Sequence, residues 1–408
     1  MLSYLKSSLV ATVWFVFLSF PFMVVKVNTL KNSVEWRWLN LLWVAIGAFF
    51  LSALWRWAME RRHRGGASGE SAHADTPKLT LGERILNDRK IYRPLLAVLT
   101  AVILLFPFVF DSYQVSIMLL ALIFVVLGLG LNITVGLAGL LDLGYVAFFA
   151  VGAYSYGLLS FYYDVGFWTA LPIGGLVGAL FGILLGFPIL RLRGDYLAIV
   201  TLGFGLIAKI VLENWEEVTN GAKGIANIGR PGLFGLQMDI ATTTIYTYYL
   251  MIVLVLFTIF VTNRIKDSRI GRAWMALRED EIACVAMGVD MARTKLSAYA
   301  FGAFWAGLVG VIFAARNTYI NPNSFTFMES AIVLSIVVLG GMGSIVGVII
   351  AALVLILLPE YLRAFADYRM LIFGAVMVLM MIFRPQGLIS NVRKTYGPRR
   401  SAPEVNRD

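Results

Sequence analysis

Apolar runs long enough to cross a lipid bilayer constrain this chain more than any other feature. The run 329–358 is too long for one crossing and is interrupted by Gly340, Gly341 and Gly343, which predicts two short segments there and twelve in the whole chain. Continuous apolar runs, rather than alternation at every second residue, favour helices over an outer-membrane barrel. With 59% hydrophobic residues the chain is predicted to be an all-α polytopic membrane protein. The runs fall near 7–25, 38–55, 94–110, 114–131, 143–163, 167–190, 196–212, 245–262, 295–315, 329–358 and 370–384.

Lysine and arginine are distributed unevenly between the connecting segments. If successive segments alternate across the membrane, 25 basic residues lie on one side and eight on the other, and Lys209 lies within a span. Because cytoplasmic loops are enriched in basic residues, both termini are predicted to be cytoplasmic. This count requires an even number of crossings in 329–358, and a re-entrant hairpin would satisfy it equally well. The net charge of +10 therefore indicates orientation in a lipid bilayer rather than binding to nucleic acid.

Four regions are predicted along the chain. A two-span extension (1–58) precedes a basic cytoplasmic linker (59–93), a ten-span core (94–390) and a basic cytoplasmic tail (391–408). His63 and His73 lie in the polar linker without an acidic or thiol cluster, a pattern typical of solvated rather than metal-bound histidines. Cys284 is the single cysteine, so no disulfide can form within the chain.

Chemistry-bearing residues are scarce in the spans, where Asp142 and Lys209 are the clearest ionisable exceptions. No Gly-x-x-x-x-Gly-Lys-Ser/Thr loop occurs, so ATP cannot bind through a P-loop of this chain. A proton- or voltage-driven carrier would usually show several buried charged groups along its route. We therefore expect a non-enzymatic protein without metal or cofactor, and any ATPase would be a separate subunit.

Glycines occur in two kinds of pattern. Stripes such as Gly174, Gly178, Gly182 and Gly186 predict close helix packing in lipid. Two clusters, 132–145 and 339–344, are not periodic and place helix breakers and polar side chains at or near membrane depth. Such backbone is tolerated where it is buried in protein or lines a cavity, so a packed turn and a solute route are both open. The candidate pathway residues are Asn132, Gly136, Gly139, Asp142, Gly144, Tyr145, Gly340, Gly341, Gly343 and Ser344.

The segment 268–288 is predicted to form two short amphipathic helices. Ile270, Ala273, Trp274 and Leu277 share one face of the first helix by their i, i+3, i+4, i+7 spacing. Asp280 is placed to cap a second helix that ends at Gly288. We expect this segment to dock into a partner through Trp274 and Leu277, with Arg278 and Glu281 at the rim. Three consecutive acids, 279–281, disfavour the alternative of a helix lying on an anionic lipid surface.

The same segment resembles the coupling loop of permeases in branched-chain amino-acid ABC importers, the LivM subfamily. The resemblance rests on Arg272-Ala-Trp274, on the stretch from Leu277 to Ala283 and on Gly288, and it extends over most of the core. Further matching blocks are 128–132, 139–145, 192–205, 324–327, 338–344 and 384–387. The candidate ATPase-coupling residues are Gly271, Arg272, Trp274, Leu277, Arg278, Glu279, Asp280, Glu281, Ala283 and Gly288.

The resemblance implies a ten-span core of the vitamin B12-type permease fold, with the coupling loop 263–293 between core spans six and seven. It further implies a bacterial inner-membrane importer with a second, homologous permease, two ABC ATPase subunits and a periplasmic substrate-binding protein for leucine, isoleucine or valine. Leu206 and the segments 219–225 and 282–284 depart from the family pattern, so urea or another amino acid is open as substrate. A self-contained channel or carrier, and a membrane anchor that recruits a partner, are the alternatives from other functional classes.

Overall fold

The structure of the chain, a computed structural model, describes the backbone of 25–28 and 33–36, and residues 103–189, 192, 194–232, 239–361, 374, 378 and 387. The chain divides into two compact units, Met1–Arg93 and Pro94–Asp408. The predicted spans 7–25, 38–55 and 370–384, the linker with His63 and His73, and the tail 391–408 lie wholly or almost wholly outside the described residues.

The first unit contains an antiparallel strand pair that the sequence did not indicate. Strand β1 (Val25–Asn28) pairs with β2 (Ser33–Trp36), and Val25 lies opposite Trp36. The pair begins at the end of the first predicted span and ends before the second.

The second unit is built from helices. A helical segment at 103–109 precedes the others, and a π-helical turn, Asn132–Leu137, extends the first labelled helix. The labelled helices are α1 (Ser112–Leu131), α2 (Val146–Tyr163), α3 (Phe167–Ile189), α4 (Asp195–Asn214), α5 (Ile240–Lys266), α6 (Arg269–Glu279), α7 (Glu281–Ala286), α8 (Met291–Asn317), α9 (Phe327–Gly340) and α10 (Ile345–Tyr361).

Within the described residues, seven helical segments are long and apolar enough to cross a membrane. The prediction of a polytopic, all-helical membrane protein is thereby confirmed. Among the described residues of the second unit, the strands amount to β3 (Ile225–Ala226) and β4 (Tyr319–Ile320), which pair with each other. This pair lies at the opposite end of α8 from α6 and α7, so we refer to the α6–α7 end and the β3–β4 end of the bundle.

Two helices form the centre of the bundle. In the most apolar 18-residue window, 78% of the residues are buried in both α1 and α8, compared with 17% in α4. The helices α1 and α8 are therefore covered by protein over most of their surface, whereas α4 presents most of its apolar surface outward. The exposed apolar surface of α4 is suited to contact with lipid or with another membrane helix.

Small residues bring α2, α3 and α8 into backbone contact. A Cβ atom at Gly152 would lie 2.1 Å from the carbonyl oxygen of Gly307, and one at Gly307 would lie 2.3 Å from that of Gly174. A Cβ atom at Gly178 would lie 2.7 Å from the carbonyl oxygen of Ala303, and one at Gly182 would lie 2.9 Å from that of Tyr299. The packing role predicted for the stripe on α3 is confirmed at these positions.

The long run 329–358 is divided as its glycines predicted. Helix α9 ends at Gly340 and α10 begins at Ile345. Gly341 and Gly343 between them have φ values of +101° and +85°, which side chains with a Cβ rarely adopt. With 14 and 17 residues the two helices span roughly 21 and 26 Å, each less than the roughly 30 Å of a bilayer core.

Candidate functional site

Helices α6 and α7 form where the sequence placed them. The Ser268 hydroxyl accepts a hydrogen bond from the Gly271 backbone N–H at 3.2 Å and caps α6. The Asp280 carboxylate accepts from the N–H groups of Ile282 and Ala283 at 2.8 and 3.0 Å and caps α7. Gly288 follows with φ +81°, which is typical of a residue that ends a helix. The predicted cap and helix end are both confirmed.

Trp274 points into its own chain, not outward. Its side chain is fully buried, and the indole N–H donates to the Thr294 carbonyl oxygen at 3.1 Å and to the Ser297 hydroxyl at 2.9 Å. The indole also makes an edge contact with Phe301 on α8. Leu277 is buried on the same side of α6. The expectation that Trp274 and Leu277 insert into a partner is therefore wrong, because α8 already covers the apolar face of α6.

A different apolar set faces outward on this segment. Ile282, Val285 and Met287 are 72%, 52% and 84% exposed, and Ile270 on α6 is 48% exposed. Ala283 and Glu279 are also exposed, whereas the single cysteine, Cys284, is buried. We call Ile270, Ile282, Val285 and Met287 the outer apolar face.

Charged residues of the segment hold it against the rest of the chain. The Glu281 carboxylate lies 2.8 Å from the ammonium nitrogen of Lys295, a residue of α8 that is almost completely buried. Arg272 donates to the carbonyl oxygen of Asp267 at 2.7 Å. Arg278 donates to the carbonyl oxygen of Gly136, in the π-helical turn that follows α1. The predicted rim residues Arg278 and Glu281 thus have intramolecular partners.

Arg278 also fixes the next part of the glycine-rich loop. Gly139 has φ +72°, and a Cβ atom there would lie 2.8 Å from Cγ and 3.1 Å from Cβ of Arg278. A side chain at 139 would therefore be strained in its backbone and would displace the arginine. The last turn of α6 consequently rests directly on the backbone of 136–139.

The two predicted glycine clusters meet each other. The Gly343 backbone N–H donates to the side-chain oxygen of Asn132 at 2.8 Å, although the two residues are 211 positions apart. A Cβ atom at Gly136 would lie 2.6 Å from the Gly343 nitrogen. Ser344 accepts from Gly347 at 3.2 Å, and Gly340 packs backbone to backbone on Gly347.

The loop 138–145, most of which is buried, then leads to the start of α2. Asp142 is fully buried, and its carboxylate accepts from the Gly144 N–H at 2.9 Å. A Cβ atom at Gly144 would lie 2.1 Å from the carbonyl oxygen of Thr201, and the Tyr145 hydroxyl donates to that of Gly302 at 2.9 Å. Within the described part of the chain, the second oxygen of Asp142 and the side-chain nitrogen of Asn132 are buried without a hydrogen-bond partner.

Two predicted sites are therefore one connected structure. The segment α6–α7, the π-helical turn and the turn between α9 and α10 contact one another through Arg278, Gly136, Asn132 and Gly343. Helical periodicity could not predict these contacts, since it identifies a face but not the element that covers it. Among the described residues no cluster of histidine, cysteine and acidic side chains could hold a metal ion.

Relatives of the chain are found among known membrane transport proteins. The family described as "Branched-chain amino acid transport system / permease component" matches residues 113–381. The chain belongs to this family. It is 49% identical over 318 residues to the high-affinity branched-chain amino acid transport system permease protein LivM of Salmonella typhimurium, covering 73% of this chain and 75% of that protein. It is 50% identical over 307 residues to LivM of Escherichia coli, and the aligned residues cover 70% of this chain and 72% of that protein.

A second permease is also related to the chain. LivH of Escherichia coli is 25% identical over 283 residues, which cover 65% of this chain and 91% of that protein. No solved structure matches the chain with significance. The chain is thus a LivM-type permease component of a branched-chain amino-acid ABC transport system, a non-catalytic, multi-pass membrane subunit, and its relatives indicate a paired permease.

Proposed function

We propose that this chain forms half of the translocation pathway of an ATP-driven importer for leucine, isoleucine and valine. Its partners would be a second, LivH-like permease, two ABC ATPase subunits and a periplasmic substrate-binding protein. The complex would lie in the bacterial inner membrane with both termini of this chain in the cytoplasm, as the asymmetry of lysine and arginine favours.

The observation that carries the proposal is the contact between α6 and the glycine clusters. A permease that binds no nucleotide responds to ATP hydrolysis only if partner motion reaches its membrane helices. Arg278 joins the end of α6 to Gly136, and Asn132 joins the same turn to Gly343. A displacement of α6 would therefore shift the backbone where α1 and α9 are both interrupted.

The outer apolar face supplies the surface for an ATPase subunit. Ile282, Val285 and Met287 lie exposed beside acidic residues at 279–281, a combination that suits an apolar groove with a polar rim. Trp274 has a different role in this scheme. Because its indole is hydrogen-bonded and packed against α8, it would transmit movement of α6 to that central helix.

Irregular backbone supports a solute route beside 132–145 and 340–344. Such backbone is tolerated at membrane depth only inside protein or along a cavity, and both clusters are largely buried. Asn132 and Asp142 each keep one buried polar atom without a partner in the described residues. These atoms could hydrogen-bond to a solute once the turns move apart.

Reconstitution of the complete complex in liposomes tests the proposal. We expect uptake of radiolabelled leucine that requires ATP and the binding protein and that isoleucine and valine inhibit. Arg278→Ala should lower uptake per ATP hydrolysed at least several-fold, because it removes the link to Gly136. Arg293→Ala is the matched control, since Arg293 is 89% exposed and pairs only with nearby Asp290 among the described residues.

Several outcomes would contradict the proposal. Uptake of urea in place of leucine would contradict the proposed substrate. Leucine flux without ATP would indicate a channel or carrier. A stable complex without any flux would indicate an anchor. If the Arg278 and Arg293 variants took up the same amount of leucine per ATP hydrolysed, the contact between Arg278 and Gly136 would have no role in coupling.

A further inference from the structure

A cavity of about 640 Å³ lies among α1, α2, α8, α9 and α10. This volume is within the roughly 300–1,000 Å³ typical of small-molecule sites. Its walls are almost entirely apolar, and the rings of Phe149 and Phe313 lie on one side, 5.1 Å apart between centroids and tilted by 57° to each other. Met328 lines the cavity and is 61% exposed, so the cavity reaches the surface there.

Among the described residues, Glu329 is the single charged residue that lines this cavity. It lies in the first turn of α9, and Thr326-x-x-Glu329 has the spacing of a capping box, in which the carboxylate would bind the Thr326 N–H. Among the described residues the Glu329 side chain has no hydrogen-bond or ion-pair partner, so the bond to the Thr326 N–H is absent. A half-buried carboxylate with apolar neighbours in a membrane helix is costly unless a cation or donor approaches it.

A basic residue lies one helical turn beyond the cavity wall. Arg316 follows Phe313 by three positions on α8 and donates to the carbonyl oxygen of Ser116 at 2.9 Å. Ser116 precedes Leu120, another wall residue, by four positions on α1. Since residues three or four apart share a helix face, Arg316 and Ser116 lie next to the cavity.

We propose that this cavity binds a zwitterionic amino acid with a branched aliphatic side chain, as a site within the membrane on the route of the solute. The ammonium group would pair with Glu329, the aliphatic chain would contact Phe124, Ile332 and Leu355, and the carboxylate would lie towards Arg316. A lipid acyl chain would also fit the apolar walls, but it would leave the Glu329 carboxylate unpaired and is therefore disfavoured. The proposal rests on the proposed function for its ligand class.

Equilibrium binding of radiolabelled leucine to the purified importer complex in lipid nanodiscs, without the binding protein, tests this site. Glu329→Gln should weaken binding about tenfold or more, because it removes one charge-assisted hydrogen bond. Asp164→Asn is the matched control. Asp164 is exposed, lies outside the cavity and has φ +53°, which asparagine also adopts, so we expect unchanged binding.

Ligand analogues provide a second test on the unchanged protein, which does not depend on how the variant folds. Isoamylamine keeps the ammonium and the branched chain, whereas isocaproate keeps the carboxylate and the branched chain. Because Glu329 lines the cavity and Arg316 lies beyond it, isoamylamine should displace leucine better than isocaproate does.

Equal binding by wild type and Glu329→Gln, no leucine binding by wild type at millimolar concentration, or preferential displacement by isocaproate would each overturn the cavity proposal. A different result would contradict the proposed function. In the liposome experiment, the wild-type complex supplied with ATP and the binding protein would take up no leucine. Uptake by wild type together with any of the first three results would reject the cavity and leave the importer function standing.

Discussion

At the scale of single residues, the interior of the α6–α7 end is organised by polar contacts that a sequence pattern does not reveal. Glu281 and Lys295 form an ion pair in which the lysine is almost fully buried, so removing the glutamate would leave an uncompensated charge. Arg278 reaches a backbone oxygen 142 positions away. The first contact holds α7 against α8, and the second holds α6 against the π-helical turn.

Gly139→Ala should therefore damage the protein more than Gly288→Ala. Both glycines have positive φ, at +72° and +81°, so both substitutions incur a similar backbone strain of about 1–2 kcal/mol. At Gly139 the new Cβ would also displace Arg278, whereas at Gly288 nothing lies within 4 Å. The measurement is thermal unfolding of the solubilised permease together with ATP-coupled uptake. Equal losses in the two variants would contradict the role of the arginine contact.

At the scale of elements, sequence reasoning predicted where helices begin and end better than what they touch. The cap at Asp280, the end at Gly288 and the break after Gly340 depend on local backbone chemistry, and all three are confirmed. The partner of Trp274 depends on tertiary packing, and that prediction was wrong. The meeting of Asn132 with Gly343 likewise needs both helix breaks to lie at one depth, which sequence spacing does not determine.

Met287→Asp and Trp274→Ala should separate docking from folding. Met287 is 84% exposed, so Met287→Asp should weaken association with the ATPase subunits and leave the stability of the isolated permease unchanged. Trp274 is fully buried, and its truncation should cost about 3–5 kcal/mol of unfolding free energy. Co-purification of the ATPase and thermal unfolding of the permease measure the two effects. Loss of ATPase binding only in Trp274→Ala would contradict the assignment of the outer apolar face.

At the scale of the whole molecule, composition was enough for the class of fold, because apolar runs of this length have few alternatives to membrane helices. The strand pair β1–β2 was found only in the structure, whereas the division into units at Arg93 and Pro94 falls where the sequence separates linker from core. The predicted extension, linker and tail stay predictions, as does the orientation of the bundle.

Orientation can be measured with one cysteine. Cys284 is buried and suits labelling poorly, so the variant combines Cys284→Ala with Met287→Cys at a highly exposed position. The variant is produced without the ATPase subunits, which would cover position 287. We expect a membrane-impermeant maleimide to label it in inverted vesicles and to leave it unlabelled in cells with a permeabilised outer membrane. Cys284→Ala alone is the control and should give no signal. Labelling only from the outside would reverse the predicted topology.

The glycine contacts among α2, α3 and α8 also bear on how such a sequence can change over generations. At Gly152 and Gly307 even one added methyl group would clash with the backbone of a neighbouring helix, and at Gly174 it would lie 2.2 Å from the Val311 side chain, so a single substitution at any of the three would be strongly destabilising. A compensating change would have to arise in two helices at once, which is rare. Divergence within this lineage should therefore accumulate on outward-facing helices such as α4, while these three positions stay glycine in distant descendants.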